Sequence, residues 1–249
     1  MDYIDAYLDN VIAILNKARV SQHEAMSNAA ELLRDTTLAG RNIFAFGCSH
    51  AGLLALELYY RTGGLATINP VRAPGLNLDV DPATLTTQME RMNQYGIYIV
   101  DALPLGVRDV MIVHSVSGRN TVTVDVAMRA REKGAKVIAL TNMNTSQAVS
   151  SRHASGLNLY QVADIVIDNG GCMGDSSIEV PGIPEKIGPT STAVGAALLN
   201  AVVVQAATLI VEAGKIPPVF MSANVEGGDA HNAAMLTAYK DQIFYMGHG

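Results

Sequence analysis

The chain reads as an α/β fold: a three-layer sandwich with a mostly parallel sheet flanked by helices, preceded by two N-terminal helices. Three observations predict it. Short runs of valine, isoleucine and other apolar residues recur along the chain, as in NIFAFG (42–47), DVMIVH (109–114), AKVIAL (135–140) and ADIVID (163–168). Unbroken apolar runs of that length suit strands buried on both faces. Longer segments of helical rhythm alternate with them, the pattern of parallel strands joined by crossover helices. The composition, 49% hydrophobic and 16% charged, is that of a chain with much surface to bury, since ordinary domains carry about a quarter charged residues.

The elements follow in order. Ile4, Leu8, Val11 and Leu15 recur at helical spacing. Ser21 followed by Glu24 forms a capping box that starts a second helix through Leu33, with Gly40 beyond its end. The strand Asn42–Gly47 leads into a helix carrying Leu53, Leu54, Leu56 and Leu58, and Leu65–Asn69 is a second short strand. Residues 72–95 hold Pro74, Gly75 and Pro82 and then a helix, and Ile97–Asp101 has the composition of another strand. Asp109–His114 is a buried strand, Thr121–Lys133 a helix stopped by Gly134, and the runs at 135–140 and 163–168 are strands. A long helix spans Pro189–Ala213, followed by Pro217, Pro218 and a polar tail with Gly227 and Gly228. The expected organisation is a helical extension (1–40), an α/β domain (41–214) and a tail with a short helix (215–249).

Charge and composition exclude several classes. The net charge of −6 argues against a nucleic-acid partner, which needs a basic face. Cys48 and Cys172 form no CxxC and suit a reducing compartment. The first residues are acidic rather than basic, unlike a signal peptide, so a cytoplasmic protein is expected. Ile187–Val211 runs 25 residues without a charge, but it contains Thr190, Ser191, Thr192, Asn200, Gln205 and Thr208 and has no flanking basic cluster. A core or interface helix is expected there rather than a membrane span. Low charge, the helix pair and this apolar helix together predict a homodimer or larger homo-oligomer. His50, His114, His153 and His231 lack metal-ligand spacing, and Gly47 lacks the partner glycines of a dinucleotide site, so neither metal nor cofactor is expected.

Ligands of such sheets bind beyond the carboxyl ends of the strands, which directs attention to the loops after Gly47, His114, Leu140 and Asp168. The segment Ser115-Val116-Ser117-Gly118-Arg119-Asn120-Thr121 leaves a buried strand and opens a helix. Hydroxyls and free backbone N–H groups at a helix N-terminus favour a phosphate; the alternative is that Ser117 or Asn120 merely caps the helix. Ser49 and His50 lie in the first loop. Glu57, among apolar neighbours, suits proton transfer or else an ion pair with Arg61. Asp229 and His231 stand beside Gly227-Gly228, as a catalytic pair or as a turn with Asp229 as N-cap. Ser191 and Thr192 open the long helix as ligands or as caps. His153 reads as structural.

The stretch DVMIVHSVSGRNTVTVDVAMRAREKGAKVIALTN resembles the sugar-isomerase (SIS) domain family, with its strand, Ser-x-Ser-Gly-x-Thr loop, helix, and strand ending in Leu-Thr. Ser115, Ser117 and Gly118 match; Asn120 stands at the usual threonine, and Thr121 follows one residue later. The loop Gly47–Gly52 occupies the place of the family's Gly-x-Gly-x-Ser, departing from it at Ser49 and Ala51. The likeness runs from about Asn42 to Gly214 and is nearest to an uncharacterised, phosphoheptose-isomerase-like branch. It implies a sugar phosphate held by Ser115, Ser117, Gly118, Asn120 and Thr121, with Ser49, His50, Ser191 and Thr192 near the sugar. It also implies aldose–ketose isomerisation, or a related lyase reaction, with Glu57 as base. His231 is the candidate second acid/base, because the histidine that phosphoheptose isomerases carry on the last long helix is missing; Asn200 and Gln205 are the polar residues there. A non-catalytic sugar-phosphate sensor is the alternative.

Overall fold

The structure is a computed structural model and describes residues 2–246, so the ends of the expected tail, 247–249, lie outside the described residues. Helix α1 (Tyr3–Ser21) starts at Asp2, whose carboxylate accepts the Ile4 amide at 2.8 Å, and α2 (His23–Leu38) follows after Gln22 alone. The expected capping box does not form. Ser21 still belongs to α1, whose last turn closes through the Gln22 amide on the Ala18 carbonyl at 2.8 Å.

Next come β1 (Ile43–Gly47), α3 (Gly52–Leu58), β2 (Ile68–Pro70), α4 (Leu85–Met89), α5 (Tyr95–Asp101) and β3 (Val110–His114). Then follow α6 (Thr121–Glu132), β4 (Lys136–Thr141), α7 (Met143–Ala148), α8 (Leu159–Val162) and β5 (Ile165–Asp168). A hairpin of β6 (Ser176–Ile178) and β7 (Ile187–Pro189) precedes the long α9 (Ser191–Glu212), and α10 (Gly228–Ala238) lies in the tail. The main sheet has five parallel strands in the order β2-β1-β3-β4-β5. Its pleat sends Ala45, Ile112, Leu140 and Ile167 into a core shared with α1, α2, α3 and α9. Phe46, Met111, Val113 and Ala139 enter a second core against α5, α6 and α8. This is the three-layer sandwich expected, with a small third cluster of Ala66, Phe220, Met235 and Ile243 tying the tail down.

Four further expectations need correction. Ile97–Asp101 is helix, not strand. Gln94 takes a left-handed φ of 66°, and the Tyr98 amide then bonds the Gln94 carbonyl. A Cβ on Gly96 would meet the Val122 carbonyl oxygen at 2.5 Å, so the helix packs backbone-close on α6. A run of four apolar residues fits either state, and this contact decides. The second strand is shorter than expected, because Leu65 instead bridges antiparallel to Val219. Pro189 closes β7 and α9 begins at Ser191, while α10 starts from Gly227 at φ 81°, leaving Asp229 in its first turn rather than at its N-cap.

Helix α9 is long and apolar enough to cross a membrane, the one such helix among the described residues. Val194, Leu198, Leu199, Val202, Val203 and Ala206 bury one side of it against α2, α3 and the sheet. Burial of side chains this size stabilises by roughly 1.5–3 kcal/mol each, which is the work of a core helix. Its other side leaves Val204 and Val211 exposed.

Candidate functional site

From β1 the chain runs outward to β2, then returns past β1 to β3. That reversal opens a crevice above the carboxyl ends of β1 and β3, where parallel sheets place their ligands. Two loops wall it. In the first, Gly47 packs so tightly that a Cβ would lie 2.5 Å from the Ala51 backbone. Ser49 turns through φ 54° and donates its amide to the Leu76 carbonyl at 2.7 Å. In the second, Ser115 is buried and its hydroxyl accepts the Gly118 amide at 3.2 Å. Gly118 sits at φ 61°, with Leu159 Cβ and Ser146 Oγ each 3.0 Å from where a Cβ would be. Asn120 occupies the N-cap of α6, but its side chain makes no capping bond; its Oδ1 accepts from Arg152 Nη1 at 2.6 Å. The Thr121 hydroxyl donates to the Arg152 carbonyl at 3.3 Å. Strand, tight loop and helix thus gather Ser115, Ser117, Gly118, Asn120 and Thr121 at one helix N-terminus.

The segment between β2 and α5 stitches the two loops together. Besides the Leu76 bond, Thr86 Oγ1 lies 3.5 Å from Ser49 Oγ, and the Val122 amide in the first turn of α6 donates to the Glu90 carbonyl at 3.1 Å. This carries the half-buried Glu90 carboxyl into the crevice. Burial pushes its pKa up, opposed by a hydrogen bond from Asn120 and by the charges of Arg91 and Arg152. The Cys48 thiol is pushed up to about 12, by burial first and then by Glu90, and stays protonated. Arg152 is lowered by burial and by the neighbouring charges of Arg91 and Arg119. Three guanidinium groups therefore converge beside the positive end of α6. Arg119 reaches the Ser150 hydroxyl at 3.5 Å, and its Nε is buried without a partner among the described residues. His153 anchors this wall: its Nε2 lies 3.0 Å from the buried Asp125 carboxylate on α6 and its Nδ1 lies 2.7 Å from Ser155 Oγ.

On the other face of the sheet the strand ends present a polar row. His114 is buried, with Nδ1 3.0 Å from the Ala51 carbonyl. A carbonyl can only accept, so Nδ1 carries the proton and Nε2 is a buried acceptor. Burial lowers the His114 pKa to about 4, against the Ala51 bond and the Asp175 charge, and the ring is neutral at pH 7. Asn142 donates to Asn169 at 3.1 Å. Asp175 caps α9, accepting from the Ser191 amide at 2.8 Å and the Ser191 hydroxyl at 2.6 Å. Ser191 is thus engaged with Asp175, and Thr192 is half-buried one residue on. Among the described residues no group of three or more His, Cys, Asp or Glu could hold a metal ion.

The sequence pattern of the SIS domain matches residues 6–142. The chain is 42% identical over 246 residues to the UPF0309 protein of Shouchella clausii, covering 99% of this chain and 100% of the relative. It is 40% identical over 246 residues to the UPF0309 protein of Oceanobacillus iheyensis, with the same shares covered. The chain belongs to the SIS domain family. Among solved structures, the phosphoheptose isomerase of Neisseria gonorrhoeae superposes with a TM-score of 0.54 at 18% identity, over 83% of this chain and 97% of that one. The phosphoheptose isomerase of Francisella tularensis gives 0.54 at 18% identity, over 82% and 96%. At that identity the likeness establishes the fold.

Of the other sequence-predicted residues of this SIS domain, Glu57 and His231 take their partners outside the two crevice loops. Glu57, in the last turn of α3, pairs with Arg61 and accepts from Asn200 of α9 at 3.0 Å. His231 is exposed on α10, its Nε2 3.0 Å from the Val219 carbonyl. His50 is exposed at the rim of the first loop. A groove of about 620 Å³ lies elsewhere, between Phe44, Tyr95, Tyr98, Phe244 and Tyr245 at the β2 side of the second core. Sequence reasoning missed Glu90, Arg91, Arg152 and Asp175. The one available signal was Arg119, a cation within the loop itself.

Proposed function

We propose that this protein binds a sugar phosphate in the crevice between β1 and β3 and interconverts its aldose and ketose forms. The carrying observation is the N-terminus of α6, where the Ser115–Thr121 loop and three arginines meet. Unpaired amides, hydroxyl donors and guanidinium groups are the donors a phosphate dianion takes up. Membership in the SIS domain family supports the same ligand class, as do the phosphoheptose isomerases that share the fold. The free thiols of Cys48 and Cys172 suit a cytoplasmic site of action.

Calorimetric titration with five- to seven-carbon aldose and ketose phosphates, beside the corresponding free sugars, tests the reading. The phosphates should bind and the free sugars should not. At a ligand concentration near a hundred times Kd, the melting transition should gain about 2.7 kcal/mol. Equal binding of a sugar with and without its phosphate would defeat the assignment. Binding of phosphates without turnover of any would leave a sensor in place of an isomerase.

A further inference from the structure

Isomerisation requires a group that takes a proton from one carbon and returns it to the next. Most buried or half-buried carboxylates around the strand ends are committed. Asp125 holds His153 at 3.0 Å. Asp168 accepts the Met143 and Gly170 amides, each at 3.0 Å. Asp175 serves Thr190 and Ser191, and Glu57 is taken by Arg61 and Asn200. Glu90 differs. Its backbone carbonyl, bonded to the Val122 amide, pins the residue at the mouth of α6. Its carboxyl is left in the crevice, near Cys48 of the first loop and Asn120 of the second.

The geometry points to Glu90 as the catalytic base of the crevice, the group that carries a proton between C2 and C1 of a bound aldose phosphate or its ketose. This rests on the sugar-phosphate reading above. The carboxylate takes the C2 proton, the C2–H electron pair forms the C1–C2 double bond, and the carbonyl electrons move to O1. The O2 proton passes to O1. As the C2–O2 double bond forms, the electron pair returns to C1, which takes the proton back from Glu90. Substrate and product are isomers, and no co-reactant is consumed.

The charged and titratable groups facing Glu90 are Arg91, Arg152 and Cys48. Cys48 stays uncharged. Burial raises Glu90's proton affinity, and the Asn120 bond and the two arginines oppose that rise; a phosphate dianion seated among the arginines offsets their charge, so the base strengthens when the substrate arrives. The acidic limb of kcat should therefore lie at higher pH than that of kcat/KM, since the first reports the complex and the second the free protein.

The test is exchange of the sugar's C–H for deuterium in heavy water, followed by NMR with the same panel of aldose and ketose phosphates, beside calorimetric binding. Glu90→Gln should lose on the order of a hundredfold or more in exchange rate, with Kd changed by less than about threefold. Glu90→Asp, which keeps the charge and withdraws it by one methylene, should lose about tenfold or more, and it serves if the glutamine variant does not fold. Parental exchange in both variants would overturn the assignment. A parent chain that binds these phosphates but exchanges no proton would overturn it too, leaving the phosphate site standing. A parent that binds none of them would overturn the sugar-phosphate reading itself.

Discussion

Replacing Arg152 by methionine separates binding from stability. The guanidinium donates to Asn120 at 2.6 Å, at the N-cap of α6, and shares its surroundings with Arg91 and Arg119. In the ligand-free protein its removal costs one part-buried hydrogen bond, about 0.5–1.5 kcal/mol, but relieves repulsion among three like charges, so the net change should stay below about 1 kcal/mol. With a phosphate bound, the same change removes a charge-assisted bond of about 1.5–3 kcal/mol, which is about a 10- to 150-fold rise in Kd. Calorimetry with the tightest-binding member of the phosphate panel reads the affinity, and denaturant unfolding of the unliganded protein reads the stability. The loss of affinity should also shrink as salt is raised, because salt screens a partly exposed charge. An affinity within twofold of the parent's, at low salt, would show that the arginine cluster has no part in the site.

Other consequences are open to measurement. Gly118→Ala forces a side chain into a left-handed position with two heavy atoms 3.0 Å away; it should destabilise by about 1–3 kcal/mol and weaken phosphate binding, and unchanged stability would contradict the loop geometry. The low His114 pKa makes stability pH-dependent: the unfolded ring protonates near its ordinary value of 6.5, the folded one only near 4, so stability is full above 6.5 and falls as pH drops towards 4, by at most roughly 3 kcal/mol. His114→Gln should flatten that slope in a pH series of unfolding curves, and an unaltered slope would assign the effect to other groups. Val204→Glu places a charge on the exposed side of α9, a helix only 44% buried over its most apolar stretch; light scattering should show the parent as a homo-oligomer and the variant dissociated, while a monomeric parent would refute the expectation. Glu57→Gln removes a partly exposed ion pair with Arg61 and should cost less than about 1 kcal/mol of stability.

The sheet was legible because its strands are unbroken apolar runs, and burial on both faces leaves such runs no other place. The loop between β3 and α6 was legible because its residues lie close together in the sequence: Ser115, Ser117, Gly118 and Thr121 fall within seven positions. What escaped was assembled across distance. Arg152 reaches Asn120 from 32 residues away, and Glu90 arrives on a segment whose own sequence, with Pro74, Gly75 and Pro82, carries no periodicity. Asp175 could not be read as the cap of α9, because the β6–β7 hairpin intervenes before Ser191. Ile97–Asp101 escaped for a different reason, since its helical state is set by the approach of Gly96 to α6, a contact without a local signal. Glu57 was read with its alternative partner Arg61, and the structure forms that pair; the bond to Asn200 depends on the packing of α3 on α9.

The central claim is that a phosphorylated sugar sits at the N-terminus of α6. A crystal structure of the protein with the tightest-binding aldose or ketose phosphate tests it most directly. Phosphate density is expected within hydrogen-bonding distance of the Ser117 and Thr121 hydroxyls and of at least one of Arg119 and Arg152, with the sugar carbons directed to Glu90. Phosphate density elsewhere, as in the groove between Phe44 and Tyr245, with the Ser115–Thr121 loop unliganded, would contradict it.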